Sequence, residues 1–402
     1  MNSTSHTDTP CSTKMNQPDI LPRVVIDFEK LRHINCGLGR FSLYLARELL
    51  ARSDNCFKPV FFLPDGSDHY FVDAPDANYS SIKVHPWNKE SFQRWVRPIG
   101  RHFNKARRPA LWHVTHQTSK YLPFDDRVPV VLTVHDLNFL NMMDSGYRPE
   151  QIHRRLARVQ KLVTRANAIV TVSEYTATDL AKHIDVESKT IHVVPNGLTP
   201  PSEIIHDRPS WLPKSPFIFS IGNFLRHKNF HTLIEMMKYL PDYKLVIAGK
   251  KETPYGKKVA QKTEYSKLTS RVLLPGIVSD TERAWLYQNC DAFVFPSLTE
   301  GFGFPVLEAM QFGKPVVMSN RTSLPEIAGE SGSFFPSYEP IEMAKTVQST
   351  LRVFRSDPQL ATRSRQHAAR FSWQAAAEGY ARVYQTVLEQ GPNHRKSGHL
   401  AR

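Results

Sequence analysis

Two carboxylates, Glu300 and Glu308, stand eight positions apart in the most informative segment of the chain. An apolar run at 292–295 precedes them and predicts a buried parallel strand. The Gly-Phe-Gly turn at 301–303 lets backbone N–H groups approach a ligand closely, and Pro305 fits the first turn of a helix that carries Glu308. Phosphate groups bind at helix N-termini, and carboxylates accept hydrogen bonds from hydroxyls. A nucleotide sugar offers both kinds of group.

This segment resembles the E-x7-E signature of the family 4 retaining glycosyltransferases, also called glycosyl transferases group 1. Gly-Lys-Pro-Val-Val at 313–317 and Ser-Leu-Pro-Glu at 323–326 continue the same pattern. The resemblance covers roughly the last half of the chain. It implies an α/β protein of the GT-B fold, in which two Rossmann-like parallel-sheet domains face each other across a cleft. Without it, Glu300 and Glu308 would be taken as ordinary surface charges of a loop and a helix.

The resemblance also implies roles for individual residues. His135 and Glu300 are the predicted catalytic residues, with Glu300 contacting hydroxyls of the donor sugar and Glu308 accepting hydrogen bonds from the nucleotide ribose. The residues predicted to bind the donor nucleotide and its phosphates are Gly37, Gly39, Arg226, Lys228, Gly301, Phe302, Gly303 and Glu308. The two glycines at 37 and 39 follow the first predicted strand and open a helix, where a plain turn is an equally good interpretation.

The basic segment Arg226-His227-Lys228 departs from the family's pattern. Lys228 matches the family's phosphate-contacting lysine. The companion arginine, which relatives carry just after the glycine or just before the lysine, is replaced here by Asn223 and His227. Arg226, one residue away, is the candidate substitute for it.

Three histidines follow or end predicted strands. His135 comes directly after the strand ending at Val134 and matches the family's strand-end histidine near the donor sugar. His113 and His116 could form a metal-binding pair by residue type alone. They are three positions apart along an extended segment, however, so their side chains point to opposite faces. We therefore predict that His116 lines the cleft on the acceptor side and that His113 is structural.

The predicted reaction is metal-independent retaining transfer, with a nucleoside-diphosphate sugar as donor and no further cofactor. The chain contains no Asp-x-Asp pair to hold a divalent ion, so cationic side chains and helix N-termini would stabilise the leaving diphosphate. The resemblance implies a hexose of mannose or glucose type, and a cell-surface glycan or lipid-linked saccharide as acceptor. Two alternatives stay open: a sugar-nucleotide epimerase of the same architecture, and a nucleic-acid-binding protein.

The net charge of +14 favours anionic partners, yet no nucleic-acid recognition motif accompanies it, so we expect no nucleic-acid partner. Six of the cationic residues fall within 91–108, where aromatic residues recur on another helical face. The pattern predicts either a solvated basic helix or an interfacial helix that binds an anionic membrane surface. The second basic stretch, 151–165, predicts a helix that packs on the core and exposes its basic face.

Composition bounds the domain count and the compartment. A chain of 402 residues is too long for one ordinary core, which predicts two domains. The four cysteines are scattered, without a Cys-x-x-Cys pair, which indicates a reducing compartment. No apolar run reaches the ~18 residues of a membrane span, and the polar start does not resemble a signal peptide. We therefore expect a cytoplasmic protein, either free or peripheral on the inner face of the cytoplasmic membrane.

Strands alternate with helices along the chain, which predicts doubly wound parallel sheets. A linker rich in proline and charge divides the series into two, so we predict an acceptor-side domain at 21–205 and a nucleotide-sugar-binding domain at 206–372. A final helix at 373–390 resembles the family's terminal helix, which crosses back to the first domain. The remaining residues are predicted to be a disordered tail at 1–20 and a basic tail at 391–402.

Overall fold

The computed structural model describes residues 21–34, 36–52, 56–71, 79–85, 108–141, 148–187, 189–200, 205 and 207–391. Two parallel sheets organise them, as the alternation of strands and helices predicts. We call the sheet at 23–193 with its flanking helices the first half, and the sheet at 217–335 with its helices the second half. The predicted basic segment 91–108 lies outside the described residues, apart from Arg108.

The first half has a seven-stranded sheet in the order β3-β2-β1-β4-β5-β6-β7, and all its pairings are parallel. Its strands are β1 Arg23–Asp27, β2 Lys58–Leu63, β3 Ser80–Lys83, β4 Leu111–Val114, β5 Val130–Val134, β6 Ala168–Thr171 and β7 Thr190–Val193. The central strands are buried on both faces because helices cover the sheet from either side.

The second half repeats this plan with six parallel strands in the order β10-β9-β8-β11-β12-β13. They are β8 Phe217–Ile221, β9 Lys244–Ala248, β10 Val272–Gly276, β11 Ala292–Phe295, β12 Val316–Ser319 and β13 Ser333–Phe335. The strand order reverses between β1 and β4 in one sheet and between β8 and β11 in the other. Ligands of such sheets bind beyond the carboxyl ends of the strands at these reversals.

Eleven α-helices occur within the described residues. They are α1 Gly37–Ala51, α2 Pro149–Arg165, α3 Glu174–His183, α4 His231–Met236, α5 Pro254–Tyr265, α6 Asp280–Asn289, α7 Phe304–Gln311, α8 Leu324–Ala328, α9 Pro340–Ser356, α10 Gln359–Ala369 and α11 Trp373–Gln390. The basic helix α2 buries Val159, Leu162 and Val163 against the sheet, as the sequence predicts. No helix among the described residues combines the length and the apolarity that crossing a membrane requires.

The last helix, α11, packs on the first half through a buried polar network. The Tyr384 hydroxyl lies 2.7 Å from His113 Nδ1, and His113 Nε2 lies 2.8 Å from Thr133 Oγ1. Thr133 Oγ1 in turn lies 3.1 Å from the Tyr380 hydroxyl. Burial lowers the pKa of His113 to about 3, so its imidazole is neutral. His113 therefore joins β4, β5 and α11, which agrees with the structural role predicted for it.

Candidate functional site

A cavity of about 780 Å³ opens between the two halves, beyond the carboxyl ends of their strands. Loops and helix starts from both halves line it, together with Trp373 of α11. Most of the predicted site residues are on its wall: Gly37, His135, Lys228, Glu300, Gly301, Phe302, Gly303 and Glu308. The cavity is large enough for a ligand of nucleotide-sugar size.

Glu300 lies in the loop after β11 and is only 9% exposed. Its Oε1 accepts hydrogen bonds from Lys228 Nζ at 2.5 Å and from the Ser297 hydroxyl at 2.6 Å. The Lys228 ammonium also lies 5.1 Å from the centre of the Phe295 ring, which favours a cation. Oε2 of Glu300 has no hydrogen-bond partner in the described part of the chain, so one oxygen is fixed and the other is available to a ligand.

Glu308 lies on α7, which begins after Gly303, a residue with φ of 116°. The Tyr287 hydroxyl donates to Glu308 Oε2 at 2.8 Å. Two guanidinium groups flank the other oxygen, with Arg40 Nη1 at 3.9 Å and Arg283 Nη1 at 3.8 Å from Oε1. Both guanidiniums also reach Asp280. The environment of Glu308 is therefore ionic and includes a side chain of α1 from the first half.

Asp280 and Arg283 belong to the first turn of α6, which a capping box fixes. The Ser279 hydroxyl accepts from Glu282 N at 3.1 Å, and Glu282 Oε2 accepts from Ser279 N at 2.9 Å. Burial alone would lower the pKa of Arg283, but the carboxylates of Glu308 and Asp280 raise it above its ordinary value. Arg283 is therefore a permanent cation on the cavity wall.

His135 follows β5 and lies on the cavity wall that the first half contributes. Its Nε2 lies 2.9 Å from the carbonyl oxygen of Thr115, which can only accept, so Nε2 carries the proton. Burial lowers the pKa of His135 to about 4, and the imidazole is neutral near pH 7. Phe41 packs edge-on against the ring, with centroids 4.6 Å apart. The unprotonated Nδ1 can therefore accept a hydrogen bond from a ligand hydroxyl.

The two halves touch directly at Gly301. A Cβ at this position would overlap the His135 carbonyl and the Asp136 side chain, so only glycine permits the approach. The Gly301 carbonyl accepts hydrogen bonds from the hydroxyls of Ser173 at 2.8 Å and Thr176 at 3.2 Å. The loop that carries Glu300 is therefore fastened to the first half right beside His135.

A second fastening joins α8 to the start of α3. The Glu326 carboxylate accepts hydrogen bonds from the backbone N–H groups of Glu174 at 2.8 Å and Tyr175 at 3.0 Å. These donors belong to the first turn of α3, where backbone N–H groups have no partner within the helix. A carboxylate at this helix end is also favoured by the helix dipole. Glu326 of the second half thus caps a helix of the first.

Two family models match the chain. The model of "Glycosyl transferases group 1" matches residues 202–367, and that of "Glycosyltransferase Family 4" matches residues 36–200. Together they account for well over half of the sequence. The chain belongs to the family 4 glycosyltransferases. The E-x7-E segment therefore predicts the correct family.

Relatives of this family 4 chain include two bacterial mannosyltransferases. The serotype-specific mannosyltransferase WbdA of Escherichia coli is 29% identical over 291 residues, which are 66% of this chain and 35% of WbdA. The O-antigen chain mannosyltransferase B of Escherichia coli is 27% identical over 337 residues, which are 77% of this chain and 85% of that protein. The matched region spans about a third of the length of WbdA.

Solved structures agree with the predicted GT-B fold. Sucrose-phosphate synthase from Thermosynechococcus elongatus superposes with a TM-score of 0.69 at 17% identity, covering 92% of this chain and 100% of that structure. Anabaena HepE, solved in complex with UDP-glucose, gives a TM-score of 0.66 at 16% identity, covering 91% of this chain and 100% of that structure. At these identities the likeness concerns the fold alone.

Three predicted site residues of the family 4 chain are absent from the cavity wall. Gly39 is buried under the helix start, where a Cβ would overlap the His33 carbonyl, so its role is packing. Arg226 is exposed and lies outside the lining, near His231 and Tyr255. Their predicted contacts with the donor therefore find no support in the geometry.

His116 is the third of these residues. It is 2% exposed, and its Nε2 lies 3.3 Å from Glu29 Oε1. Burial lowers the pKa of His116. Burial alone would raise the pKa of Glu29, but the His116 ring and the Lys30 ammonium lower it to about 2. His116 thus belongs to a polar cluster beyond β1 and β4 that is separate from the cavity lining. The acceptor-side role stays a prediction.

Sequence reasoning missed four polar residues of the site: Arg40, Asp280, Arg283 and Tyr287. Arg40 directly follows the predicted glycine turn, which is the one signal that pointed to it. The other three lie on α6 and carry no motif, so only the packing of α6 against α7 reveals them. Within the described residues, no group of three or more His, Cys, Asp or Glu is arranged to hold a metal ion.

Proposed function

We propose that this chain is a retaining glycosyltransferase that moves a hexose from a nucleoside-diphosphate sugar to a saccharide acceptor. The observation that carries the proposal is the Lys228–Glu300 pair, 2.5 Å apart, in the cavity between the halves. In such a pair the cation can bind a phosphate, and the carboxylate can accept a hydrogen bond from a neighbouring sugar hydroxyl. Glu308 lies eight positions further along the chain and lines the same cavity.

Each residue then has a distinct task in donor binding. Glu308 accepts hydrogen bonds from the ribose, while Lys228 and the backbone N–H groups at the start of α7 receive the diphosphate. Glu300 uses its available oxygen for a hydroxyl of the donor sugar, and His135 Nδ1 accepts from another. Gly301, Phe302 and Gly303 keep the loop close to the ligand.

The transfer step forms a bond from the anomeric carbon to the acceptor oxygen and breaks the bond from that carbon to the diphosphate. In the front-face route of the family, the departing phosphate oxygen takes the acceptor's proton, so no covalent enzyme nucleophile is needed. Lys228 stabilises the negative charge that grows on the diphosphate. Charge balance comes from fixed side chains, so we expect the reaction to proceed without a divalent ion.

The relatives favour mannose or glucose as the transferred sugar. WbdA and the O-antigen mannosyltransferase B are named for mannosyl transfer, and HepE was solved with UDP-glucose. These names suggest an acceptor among bacterial cell-surface glycans such as lipopolysaccharide, or a lipid-linked saccharide.

We place the reaction at the cytoplasmic membrane surface. If residues 91–108 bind that surface, then R94S/R97S/R101S/K105S protein should lose salt-sensitive co-sedimentation with anionic liposomes.

A panel of nucleotide sugars tests the proposal. Purified protein is incubated with GDP-mannose, UDP-glucose and related donors, with and without mannose-terminated oligosaccharides, in the presence of a chelator. We expect one donor to be consumed and the product to retain the donor's anomeric configuration, as followed by NMR. Conversion of the donor to its epimer without transfer would instead identify an epimerase, and failure to bind any nucleoside diphosphate would refute a nucleotide-sugar enzyme.

A further inference from the structure

Two arginines in the cavity bridge the same pair of carboxylates. Arg40 Nη2 and Arg283 Nη2 lie 2.9 and 3.3 Å from Asp280 Oδ1, while their Nη1 atoms lie 3.9 and 3.8 Å from Glu308 Oε1. Arg283, Asp280 and Glu308 all belong to the second half. Arg40 comes from α1 and is the member that the first half contributes.

The partners of Arg40 differ greatly in exposure. The Asp280 side chain is 80% exposed, whereas that of Glu308 is 20% exposed. An ion pair with so exposed a carboxylate is weak, because water screens it. The Arg40–Asp280 contact can therefore be exchanged for a better anionic partner at little cost.

The position of Arg40 in α1 also calls for an anion. It lies in the first turn of a 15-residue helix that has no acidic residue in that turn, although helix N-termini favour negative charge. Gly37 and Leu38 of the same turn line the cavity. A cation at this helix end is unfavourable by itself and becomes favourable once an anion lies against both the guanidinium and the backbone N–H groups.

The cavity lining offers few cations for a diphosphate. Among the residues that the structure describes, the Lys and Arg side chains of the lining are Arg40, Lys228 and Arg283. Lys228 is already paired with Glu300, and Arg226, the candidate substitute for the family's second phosphate ligand, lies off the wall. Among the described lining residues, Arg40 and Arg283 are the candidates for a second cation. Both contact Asp280, but only Arg40 also lies in the first turn of a helix whose start lines the cavity without an acidic residue.

We infer that Arg40 binds a phosphate of the donor nucleotide, and that Asp280 holds its guanidinium in position until the nucleotide arrives. This inference rests on the proposed function, because it requires a nucleoside diphosphate in the cavity. It assigns the second phosphate cation to the first half, so that donor binding draws on both halves at once.

Binding measurements on Arg40→Gln test the inference. Calorimetry is carried out with whichever of UDP, GDP and ADP binds, and with its nucleoside and monophosphate. We expect the substitution to weaken diphosphate binding about ten- to a hundredfold, the usual loss for a hydrogen bond to a charged group, and to leave nucleoside binding unchanged. Arg47→Gln is the matched control, because Arg47 is on the same helix, exposed and outside the cavity lining.

A second substitution separates a phosphate contact from a merely structural one. Asp280→Asn should tighten diphosphate binding severalfold in the wild-type background, since it releases Arg40, and should do so less in the Arg40→Gln background. Equal gains in both backgrounds, or an Arg40→Gln loss that is the same for nucleoside and diphosphate, would overturn the inference.

The outcomes also distinguish this inference from the proposed function. If wild-type protein binds no nucleoside diphosphate, the proposed function fails. If wild-type protein binds one and Glu308→Gln weakens that binding while Arg40→Gln does not, the function stands and only the role of Arg40 is wrong. Circular dichroism of each variant verifies that the chain is folded.

Discussion

The two glutamates of the E-x7-E segment have contrasting surroundings. Glu300 is held by Lys228 and Ser297, which belong to the same half as Glu300 itself. Glu308 is surrounded by Tyr287 and Arg283 of its own half and by Arg40 of the other. The Glu300 end is therefore organised within one half, whereas the Glu308 end is complete only when the halves meet.

The largest effect should follow from removing the cation of the Glu300 end. Lys228→Gln should reduce the transfer rate about 10²- to 10³-fold, the range for loss of one fixed group that stabilises developing charge. The side chains of Lys228 and Glu300 are 14% and 12% exposed, so water cannot replace the lost partner fully. Initial rates of transfer at saturating donor, compared between wild type and Lys228→Gln, measure this reduction. A rate within threefold of wild type would show that the Glu300 end does not contact the leaving group.

Gly301→Ala should separate the two halves and so disturb both ends. The added Cβ would meet the His135 carbonyl, a backbone atom that cannot move aside. Displacement of the reacting groups by about 1 Å can lower activity about 10²-fold. Assays of transfer check this loss, and small-angle scattering checks the separation.

Gly37→Ala provides a control for the stability of the Gly301→Ala protein, because a Cβ at Gly37 meets no atom within 4 Å. The free energy of unfolding of Gly37→Ala, obtained from thermal unfolding, should match that of wild type within about 0.5 kcal/mol. Full activity in Gly301→Ala would mean that the halves do not need this close contact.

Replacing each glutamate separately should resolve the two ends. Glu308→Ala should weaken nucleoside diphosphate binding about tenfold to a hundredfold, since a hydrogen bond to a charged group contributes ~1.5–3 kcal/mol. Glu300→Ala should lower turnover more than affinity, because its partner is the reacting sugar. Calorimetry and steady-state kinetics give the two quantities, and an unchanged affinity in Glu308→Ala would contradict its assignment to the ribose.

The smallest effect concerns pH and belongs to the Glu300 end alone. Burial first, then the Lys228 charge, lower the pKa of His227 to about 4, although Glu300 acts in the opposite direction. Between about pH 6.5 and 4 the unfolded chain binds a proton at His227 that the folded chain does not. The free energy of unfolding should therefore decrease as the pH falls through this range, by up to ~1.4 kcal/mol per pH unit from this group.

Urea unfolding of wild type and His227→Gln at pH 4 to 7 measures this contribution. The variant lacks the titrating group, so its free energy of unfolding should depend less steeply on pH. Other groups, such as His113 and Asp27, contribute equally to both proteins and cancel in the comparison. Parallel curves would show that His227 titrates normally in the folded chain.

The sequence predicts the architecture well because long apolar runs and regular alternation define the buried strands. It fails at two edge strands, β3 and β13. Their short segments, Ser-Ser-Ile-Lys at 80–83 and Ser-Phe-Phe at 333–335, are partly exposed and lack a continuous apolar run. Edge strands pair on one side only and are less buried. Their sequences therefore need no continuous apolar run, which is the signal that predicts the central strands.

The site is predictable only in part, for a similar reason. The Glu300 end arises from one continuous segment and one neighbouring loop, so motif spacing identifies Glu300 and Lys228. The Glu308 end depends on α1 and α6, which are 240 residues apart at the Arg40–Asp280 contact. No local pattern encodes such a meeting, so Arg40 and Arg283 emerge only from the packed structure. Arg226 is predicted only because it lies one residue away from the position of the family's arginine.

The hydrogen bonds from α3 to the Glu326 carboxylate make separation of the two halves measurable. The amide hydrogens of Glu174 and Tyr175 bond to a carboxylate of the other half, whereas that of Thr176 bonds to Ser173 of its own half. Separation of the halves would expose the first two amides to solvent exchange and leave the third protected. Hydrogen–deuterium exchange at three consecutive residues therefore distinguishes opening of the cleft from local fraying of the helix.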